Sequence, residues 1–173
     1  MSDITTIIIL IVCLICLIPF LWTFAPYFPT RRRDLKRIAK VAALKPGQTF
    51  YELGCGDAGV SLYLARQNPD VQFIGYEIFF PIYCVAKLRS WAYLGKNLKI
   101  YYRNVFWQDL SKADWIYTFG MKDGLILKLR DKLQTELQPG SHIISYTFKI
   151  PDWNGPEEIF TAEKSAKIYR YTK

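Results

Sequence analysis

The sequence is poor in the residues that usually build metal sites, with one histidine and four cysteines among 173 residues. Cys55 and Cys84 have no spacing to His142 that is typical of zinc ligands. Cys13 and Cys16 form a C-x-x-C pair, but they lie in an apolar run, where a reactive thiolate would be disfavoured. We therefore predict no metal site, no redox pair and no disulfide, and we interpret His142 as a structural residue.

Low-complexity stretches and internal repeats are also absent from the sequence. Because 51% of the residues are hydrophobic and 16% are aromatic, the chain has enough apolar surface to fold, which argues against disorder. A length of 173 residues suffices for one ordinary domain and a short additional segment.

The net charge of +8 is unevenly distributed along the chain. Residues 31–40 carry +5, whereas residues 41–173 together carry only +4. Nucleic-acid binding usually requires basic residues spread over a face of the domain. The sequence also has no Asn-Pro-Pro-Tyr-like turn, so we do not expect a nucleic-acid partner.

The amino-terminal segment contains a run of 22 residues without a charge, Ile4–Ala25. As a helix it would span about 33 Å, enough to cross a bilayer. A cleaved signal peptide fits less well, because the preceding residues include no Lys or Arg. We expect residues 1–28 to form a single-pass transmembrane anchor that contacts the lipid bilayer through residues 4–25. The basic residues that follow would hold the domain on the cytoplasmic or organellar matrix side of the membrane.

Residues 29–173 alternate between strand-like and helix-like segments, which predicts a parallel sheet covered on both faces by helices. The last two strands have no helix between them and should form an antiparallel hairpin at the sheet edge. The predicted strands are 49–53, 71–77, 98–103, 113–119, 141–148, 158–162 and 166–171, and the predicted helices are 31–44, 60–67, 81–94 and 122–137.

A glycine motif, Gly54-x-Gly56-x-x-Gly59, follows the first predicted strand and opens a helix, as in nucleotide-binding folds. Glu77 ends the second strand, where a carboxylate can accept both hydroxyls of a ribose. Asp57 lies inside the turn and would repel the pyrophosphate of a dinucleotide such as NAD(P). S-adenosylmethionine has no phosphate and carries positive charge, so we predict it as the cofactor.

The segment from Leu44 to Asp57, Leu-Lys-Pro-Gly-Gln-Thr-Phe-Tyr-Glu-Leu-Gly-Cys-Gly-Asp, resembles motif I of class I methyltransferases. A narrower resemblance is to the membrane-anchored lysine methyltransferases that modify the ATP synthase c-subunit and the adenine nucleotide translocase. It rests on the amino-terminal apolar helix and on five motifs: Pro26-Tyr27-Phe28-Pro29-Thr30, Gly75-Tyr76-Glu77, Asn104-Val105-Phe106-Trp107, Leu137-Gln138-Pro139-Gly140 and Ser145-Tyr146-Thr147-Phe148-Lys149-Ile150-Pro151-Asp152-Trp153.

The resemblance implies a Rossmann-like class I methyltransferase sheet, preceded here by one transmembrane helix, and a membrane-protein lysine as the acceptor. It implies these cofactor-binding residues: Glu52, Gly54, Cys55, Gly56, Asp57, Glu77, Ile78, Asn104, Val105, Pro29 and Thr30. The family usually has a Phe-Leu-x-Pro-like turn after the fourth strand, whereas this chain has Phe119-Gly120-Met121-Lys122.

A lysine acceptor must lose a proton before it can attack, and an aromatic channel would help by desolvating the amine. Phe106, Trp107 and Phe119 are candidates for such a channel. Tyr117 or Thr118 is the candidate catalytic residue that orients the amine, although strand alternation allows only one of them to face the site. The alternative functions are a small-molecule or lipid methyltransferase and a non-catalytic membrane scaffold that retains the fold.

Overall fold

The computed structural model describes residues 3–22, 28–120 and 123–173, with the side chains of residues 3, 15–22 and 123 outside that description. The elements in these ranges are α1 (Asp3–Trp22), α2 (Arg32–Ala42), β1 (Thr49–Leu53), α3 (Gly59–Ala65), β2 (Gln72–Glu77), α4 (Phe80–Ala92), β3 (Leu98–Tyr102), a short 3-10 helix (Val105–Trp107), β4 (Trp115–Phe119), α5 (Asp123–Glu136), β5 (His142–Tyr146), β6 (Glu157–Phe160) and β7 (Ile168–Thr172).

The strands form one seven-stranded sheet in the order β3-β2-β1-β4-β5-β7-β6. The first five strands are parallel to one another, and β7 pairs antiparallel with both β5 and β6. This confirms the predicted Rossmann-like sheet with its carboxyl-terminal hairpin. The carboxyl ends of β1, β2 and β4 lie side by side, which is where open α/β sheets bind their ligands.

Both faces of the sheet are buried, as expected for parallel strands that are joined by helices. On one face Phe50 and Tyr117 belong to a core with residues of α2, α3 and α4. On the other face Tyr51 and Ile116 join a core with Leu129 of α5. Neighbouring residues of a strand therefore belong to different cores. The same alternation determines to which face of the sheet each side chain of β4 points.

A buried carboxylate anchors α2 to the sheet. The Tyr146 hydroxyl on β5 donates a hydrogen bond of 2.7 Å to Asp34 Oδ2, and Arg37 Nη1 lies 2.8 Å from Asp34 Oδ1. Burial alone would raise the pKa of the Asp34 carboxyl, but these hydrogen bonds and the Arg37 charge hold it below its usual value. Burial and the hydrogen bond to Asp34 raise the pKa of Tyr146 to about 12, so its hydroxyl stays protonated.

The structure contradicts the predicted transmembrane anchor. In the described part of the chain, no helix combines the length and the apolarity needed to cross a membrane. The predicted transmembrane helix and the predicted single-pass membrane localisation on the cytoplasmic or organellar matrix side are therefore wrong, and the predicted bilayer contact through residues 4–25 is not supported. The division of the chain between residues 28 and 29 stays a prediction.

Candidate active site

The loop between β1 and α3 adopts backbone angles that favour glycine. Gly54 and Gly56 have φ values of +68° and +53°, in the left-handed region where other side chains are strained. Asp57 folds back within the loop, and its Oδ1 accepts a hydrogen bond of 3.2 Å from Gly59 N. The motif therefore forms the tight strand-to-helix turn that its spacing indicates.

Glu77, the last residue of β2, holds the neighbouring loops in place. Its Oε2 accepts a hydrogen bond from Gly56 N, and its Oε1 accepts from Ile78 N and Phe79 N, each at 2.8 Å. Three backbone donors thus fix one carboxylate in a single orientation at the edge of the cavity. An oriented carboxylate at this point of the sheet is suited to accept hydroxyl groups of a ribose.

Glu52 places a second acid beneath the glycine loop. Its side chain is buried, and its Oε2 accepts a hydrogen bond of 2.9 Å from Ser61 N in α3. Burial raises the pKa of Glu52 to about 7, more than the hydrogen bonds from Ser61 lower it, and the Glu77 charge adds to the increase. The charge of this carboxyl therefore depends on pH near neutrality.

Asp57 provides the third acid and is paired with Arg89 of α4. Arg89 donates to the Asp57 carboxylate and, at 2.8 Å, to the Asp57 backbone oxygen. Arg89 lies 32 positions along the chain from Asp57 and belongs to no motif around the loop. Arg89 could not be found from the sequence, since no local spacing connects a residue late in α4 with the turn after β1.

The loop and these acids line a cavity of about 620 Å³, a size typical of cofactor sites. All of the residues predicted to bind the cofactor line it: Pro29, Thr30, Glu52, Gly54, Cys55, Gly56, Asp57, Glu77, Ile78, Asn104 and Val105. Further residues of the wall that the sequence analysis missed include Arg31, Arg32, Leu35, Arg89, Arg103 and Leu125.

Tyr117 and Thr30 form a pair of hydroxyl groups in the wall of the cavity, with 2.7 Å between their oxygens. Burial raises the pKa of Tyr117 well above its ordinary value, so the phenol is neutral. Thr30 does not cap α2, since Arg31 is the residue at the helix start and its side chain forms no capping hydrogen bond. The Thr30 hydroxyl contacts Tyr117 instead and ties the segment before α2 to β4.

Phe119 supplies an aromatic wall next to this hydroxyl pair. Its ring lies edge-on to Tyr146, with 4.8 Å between centroids, and stacks on Phe148 at 6.2 Å. Because Tyr146 is held by Asp34, the aromatic wall is connected to the start of α2. A side chain entering here would meet rings rather than water on one side.

Three predicted site residues lie elsewhere. Thr118 is buried but does not line the cavity, because it alternates with Tyr117 along β4. Phe106 packs against the core on the α5 side of the sheet, and the Trp107 side chain is 82% exposed. Phe106 and Trp107 belong to the 3-10 helix after β3, and the described cavity wall includes neither, so the structure does not place them in a substrate channel.

Parts of two predicted motifs fall outside the described residues. Pro26 and Tyr27 precede the described Phe28, and Met121 and Lys122 fall in the gap between the described residues Gly120 and Asp123. His142 lies at the start of β5, with its Nδ1 3.1 Å from Thr172 Oγ1 and its ring 4.4 Å from that of Trp115. These contacts agree with the structural interpretation of His142.

The fold and the site together define a class I methyltransferase that uses S-adenosylmethionine. The acids at the glycine turn suit a cationic, phosphate-free cofactor, and the cavity has the size of a cofactor site. The fold is similar to that of an RNA methyltransferase from Salinibacter ruber in complex with S-adenosyl-L-homocysteine (TM-score 0.75, 24% identity, 84% of this chain and 93% of that one). A precorrin-6y C5,15-methyltransferase from Geobacter metallireducens is also similar (TM-score 0.68, 14% identity, 84% and 94% covered).

The chain belongs to the ANTKMT methyltransferase domain family, whose model matches residues 52–157. It is 29% identical to a protein-lysine N-methyltransferase of Saccharolobus islandicus, over 80% of this chain and 85% of that protein. It is 26% identical to the ATP synthase c-subunit lysine N-methyltransferase of Xenopus laevis (78% of this chain) and to the adenine nucleotide translocase lysine N-methyltransferase of Mus musculus (74%). The match spans only 58% and 55% of those two relatives. The predicted resemblance is thereby confirmed.

We expect the affinity for S-adenosylmethionine to decrease as the pH falls through the pKa of Glu52. A bound cation favours the ionised carboxylate, so protonation of Glu52 competes with binding. With a pKa of about 7 in the free protein, binding should be roughly five- to tenfold weaker at about pH 6 than at about pH 7.5. Calorimetric titration at both pH values measures the change. The variant Glu52→Gln should lose most of this dependence, and an equal dependence in that variant would assign it to another group.

Proposed function

We propose that this methyltransferase transfers a methyl group from S-adenosylmethionine to the ε-amine of a lysine in a protein, and that the acceptor is a membrane protein. The observation that carries the proposal is the pair of hydroxyl groups, Tyr117 and Thr30, in the cavity wall beside the aromatic ring of Phe119. Support for a protein lysine comes from the three relatives above, all of which are named as lysine methyltransferases. Two of these names specify the c-subunit of ATP synthase and the adenine nucleotide translocase.

The residues of this chain can prepare a lysine in two ways. A lysine in water has a pKa of about 10.4 and is almost entirely protonated at neutral pH. The apolar wall formed by Leu35, Phe119 and Leu125 would desolvate the ammonium group and lower its pKa, so that the proton leaves to solvent before attack. The Tyr117 and Thr30 oxygens can then accept the N–H groups of the neutral amine and point its lone pair along one direction.

When bound, S-adenosylmethionine supplies a methyl group that is already activated by its sulfonium sulfur. The amine lone pair would form the new N–C bond while the S–C bond breaks, and the electron pair of the broken bond would stay on sulfur. Such an in-line displacement needs no nucleophile from the protein, so positioning accounts for most of the catalysis. Glu77 and the glycine loop would hold the nucleoside end, while Tyr117 and Thr30 would orient the acceptor.

Transfer of a radioactive methyl group tests the proposed acceptor class. The full chain is incubated with tritiated S-adenosylmethionine and either membranes or cytosol of its host, and proteins, lipids and small molecules are separated. We expect the label in a membrane protein band, on a lysine identified by mass spectrometry of the tryptic peptides. Label confined to lipids or small molecules would overturn the proposal, and label in cytosolic proteins alone would overturn the choice of a membrane protein.

The variant Tyr117→Phe should lower kcat by roughly tenfold, about the effect of one lost hydrogen bond to the amine. The affinity for S-adenosylhomocysteine should change little, since the hydroxyl contacts the acceptor rather than the nucleoside. The matched control is Tyr51→Phe, which removes a hydroxyl from a buried tyrosine on the other face of the sheet. Equal kcat values for Tyr117→Phe and Tyr51→Phe would show that the Tyr117 hydroxyl does not orient the amine.

A further inference from the structure

We propose that Arg31 and Arg32 recognise carboxylates next to the target lysine, so that the enzyme selects lysines in acidic protein segments. This inference rests on the proposed function, because it describes the acceptor end of the same cavity. It is carried by the arrangement of charges on the cavity wall and by the position of the two arginines beside Thr30.

The acids on the cavity wall already have partners within the protein. Glu77 accepts three backbone N–H groups, Glu52 accepts Ser61 N, and Asp57 is paired with Arg89. All three belong to the glycine loop, or to the ends of β1 and β2 beside it, which form the cofactor end of the cavity. In the described wall, no other carboxylate is present to pair with Arg31 and Arg32.

Arg31 and Arg32 line the cavity, are exposed, and form no ion pair within the part of the chain that the structure describes. Their neighbours differ, since Arg33 donates to the Lys164 carbonyl and Arg37 is paired with Asp34. The acidic residue in the first turn of this helix, Asp34, is buried and paired with Arg37. The two guanidinium groups of Arg31 and Arg32 thus present positive charge to an incoming segment without an acidic partner in the described part of the chain.

The position of these arginines is fixed by contacts on both sides. Thr30, the preceding residue, is hydrogen-bonded to Tyr117 where the amine would be oriented. Asp34, two residues after Arg32, is held by Tyr146. Arg31 and Arg32 therefore stand beside the point where a lysine side chain would enter, within reach of the residues that flank the lysine. Guanidinium groups bind carboxylates with two parallel hydrogen bonds, which favours acidic flanking residues over other polar ones.

The charge of Arg31 and Arg32 also favours acidic over basic residues around the target lysine. The two arginines would repel a segment with several basic residues and attract a segment with carboxylates. Electrostatic complementarity of this kind acts mainly on association, and salt weakens it. We therefore expect the preference to appear in KM and kcat/KM rather than in kcat.

Three fluorescent peptides test the inference, each with one lysine that is flanked by glutamates, by glutamines or by arginines. Binding to the full chain is measured by anisotropy with S-adenosylhomocysteine present, and turnover is measured with S-adenosylmethionine. The acidic peptide should bind roughly three- to tenfold more tightly than the glutamine peptide, and about 0.5 M salt should abolish the difference. The basic peptide should bind most weakly.

Variants with altered charge assign the preference to the two arginines. Arg31→Gln combined with Arg32→Gln should remove it, and Arg31→Glu combined with Arg32→Glu should reverse it toward the basic peptide. The control Arg66→Glu changes an exposed arginine of another surface and should keep the preference. Thermal unfolding serves as the test of folding, and the Tm of every variant should stay close to that of the wild type.

Several outcomes would overturn the inference: equal binding of the three peptides, a preference that survives in the double glutamine variant, or the same loss in Arg66→Glu. The inference would also be overturned if the full chain bound phosphatidylglycerol vesicles through Arg31 and Arg32 and showed no preference among the peptides. That result would assign the two arginines to anionic lipid. If the acidic peptide binds selectively but no lysine peptide is methylated, the recognition stands and lysine methylation fails, so the two proposals are tested separately.

Discussion

Replacing Glu77 by alanine should weaken S-adenosylhomocysteine binding by roughly a hundredfold or more. Glu77 is the carboxylate that we propose to accept both ribose hydroxyls, and hydrogen bonds to a charged acceptor are stronger than neutral ones. The same side chain accepts Gly56 N, Ile78 N and Phe79 N, so its removal also releases the glycine loop. Both effects reduce affinity, and calorimetric titration of the purified full chain measures their total.

The variant Asp114→Ala provides a matched control for Glu77→Ala. Asp114 Oδ2 accepts a hydrogen bond of 2.7 Å from Thr49 N at the opposite ends of the strands, far from the glycine loop. Its removal should lower the thermal stability without changing the affinity for S-adenosylhomocysteine. If Glu77→Ala, shown to be folded by circular dichroism, bound the ligand within a few-fold of wild type, the proposed role of Glu77 would be wrong.

The glycine turn and its acids could be predicted because their chemistry is local. Gly54 and Gly56 are needed for left-handed backbone angles, and Glu77 follows them at the end of the next strand. Adjacent parallel strands bring these positions together wherever the strands themselves are recognised. The order of strands and helices could also be predicted from the sequence, since alternating strands and helices form a parallel sheet with few alternative topologies.

The proposed acceptor end of the site could be predicted only in part, because it is assembled from distant segments. Thr30 and Tyr117 are 87 positions apart, and no spacing in the sequence shows that their hydroxyls meet. Strand alternation limited the choice to Tyr117 or Thr118, and in the structure Tyr117 is the one that lines the cavity. Aromatic character alone led to the prediction for Trp107, which follows the edge strand β3, is largely exposed and does not line the described cavity.

The amino-terminal prediction shows a different limit of sequence patterns. The run without charge from Ile4 to Ala25 has the length of a bilayer span, and that pattern alone produced the prediction of an anchor. The described residues contain no helix that meets the requirement. The basic residues after it, which the anchor hypothesis interpreted as orienting charges, instead include Arg31 and Arg32 of the cavity wall.

Removing the buried carboxylate of α2 with Asp34→Ala should lower the free energy of unfolding by about 3 kcal/mol. Tyr146 would lose the acceptor of its hydroxyl, and Arg37, which is half-buried, would lose its ion pair. For a chain of this length the loss corresponds to a decrease of about 8 °C in Tm, measurable by calorimetry. Because Tyr146 supports Phe119, kcat should also decrease in the variant, while the affinity for S-adenosylhomocysteine stays close to that of the wild type.

The pH dependence of this effect separates the buried ion pair from simple loss of packing. Since hydrogen bonds and Arg37 hold the pKa of Asp34 below that of the unfolded chain, its stabilisation is complete at neutral pH and is lost as the pH falls through the folded pKa. The difference in unfolding free energy between wild type and Asp34→Ala should therefore be constant above about pH 5 and shrink in more acidic solution. The control Asp131→Ala removes a largely exposed partner of Arg130 and should cost less than about 1 kcal/mol. A difference for Asp34→Ala that stays the same down to about pH 2 would mean that the charge of Asp34 does not stabilise the fold.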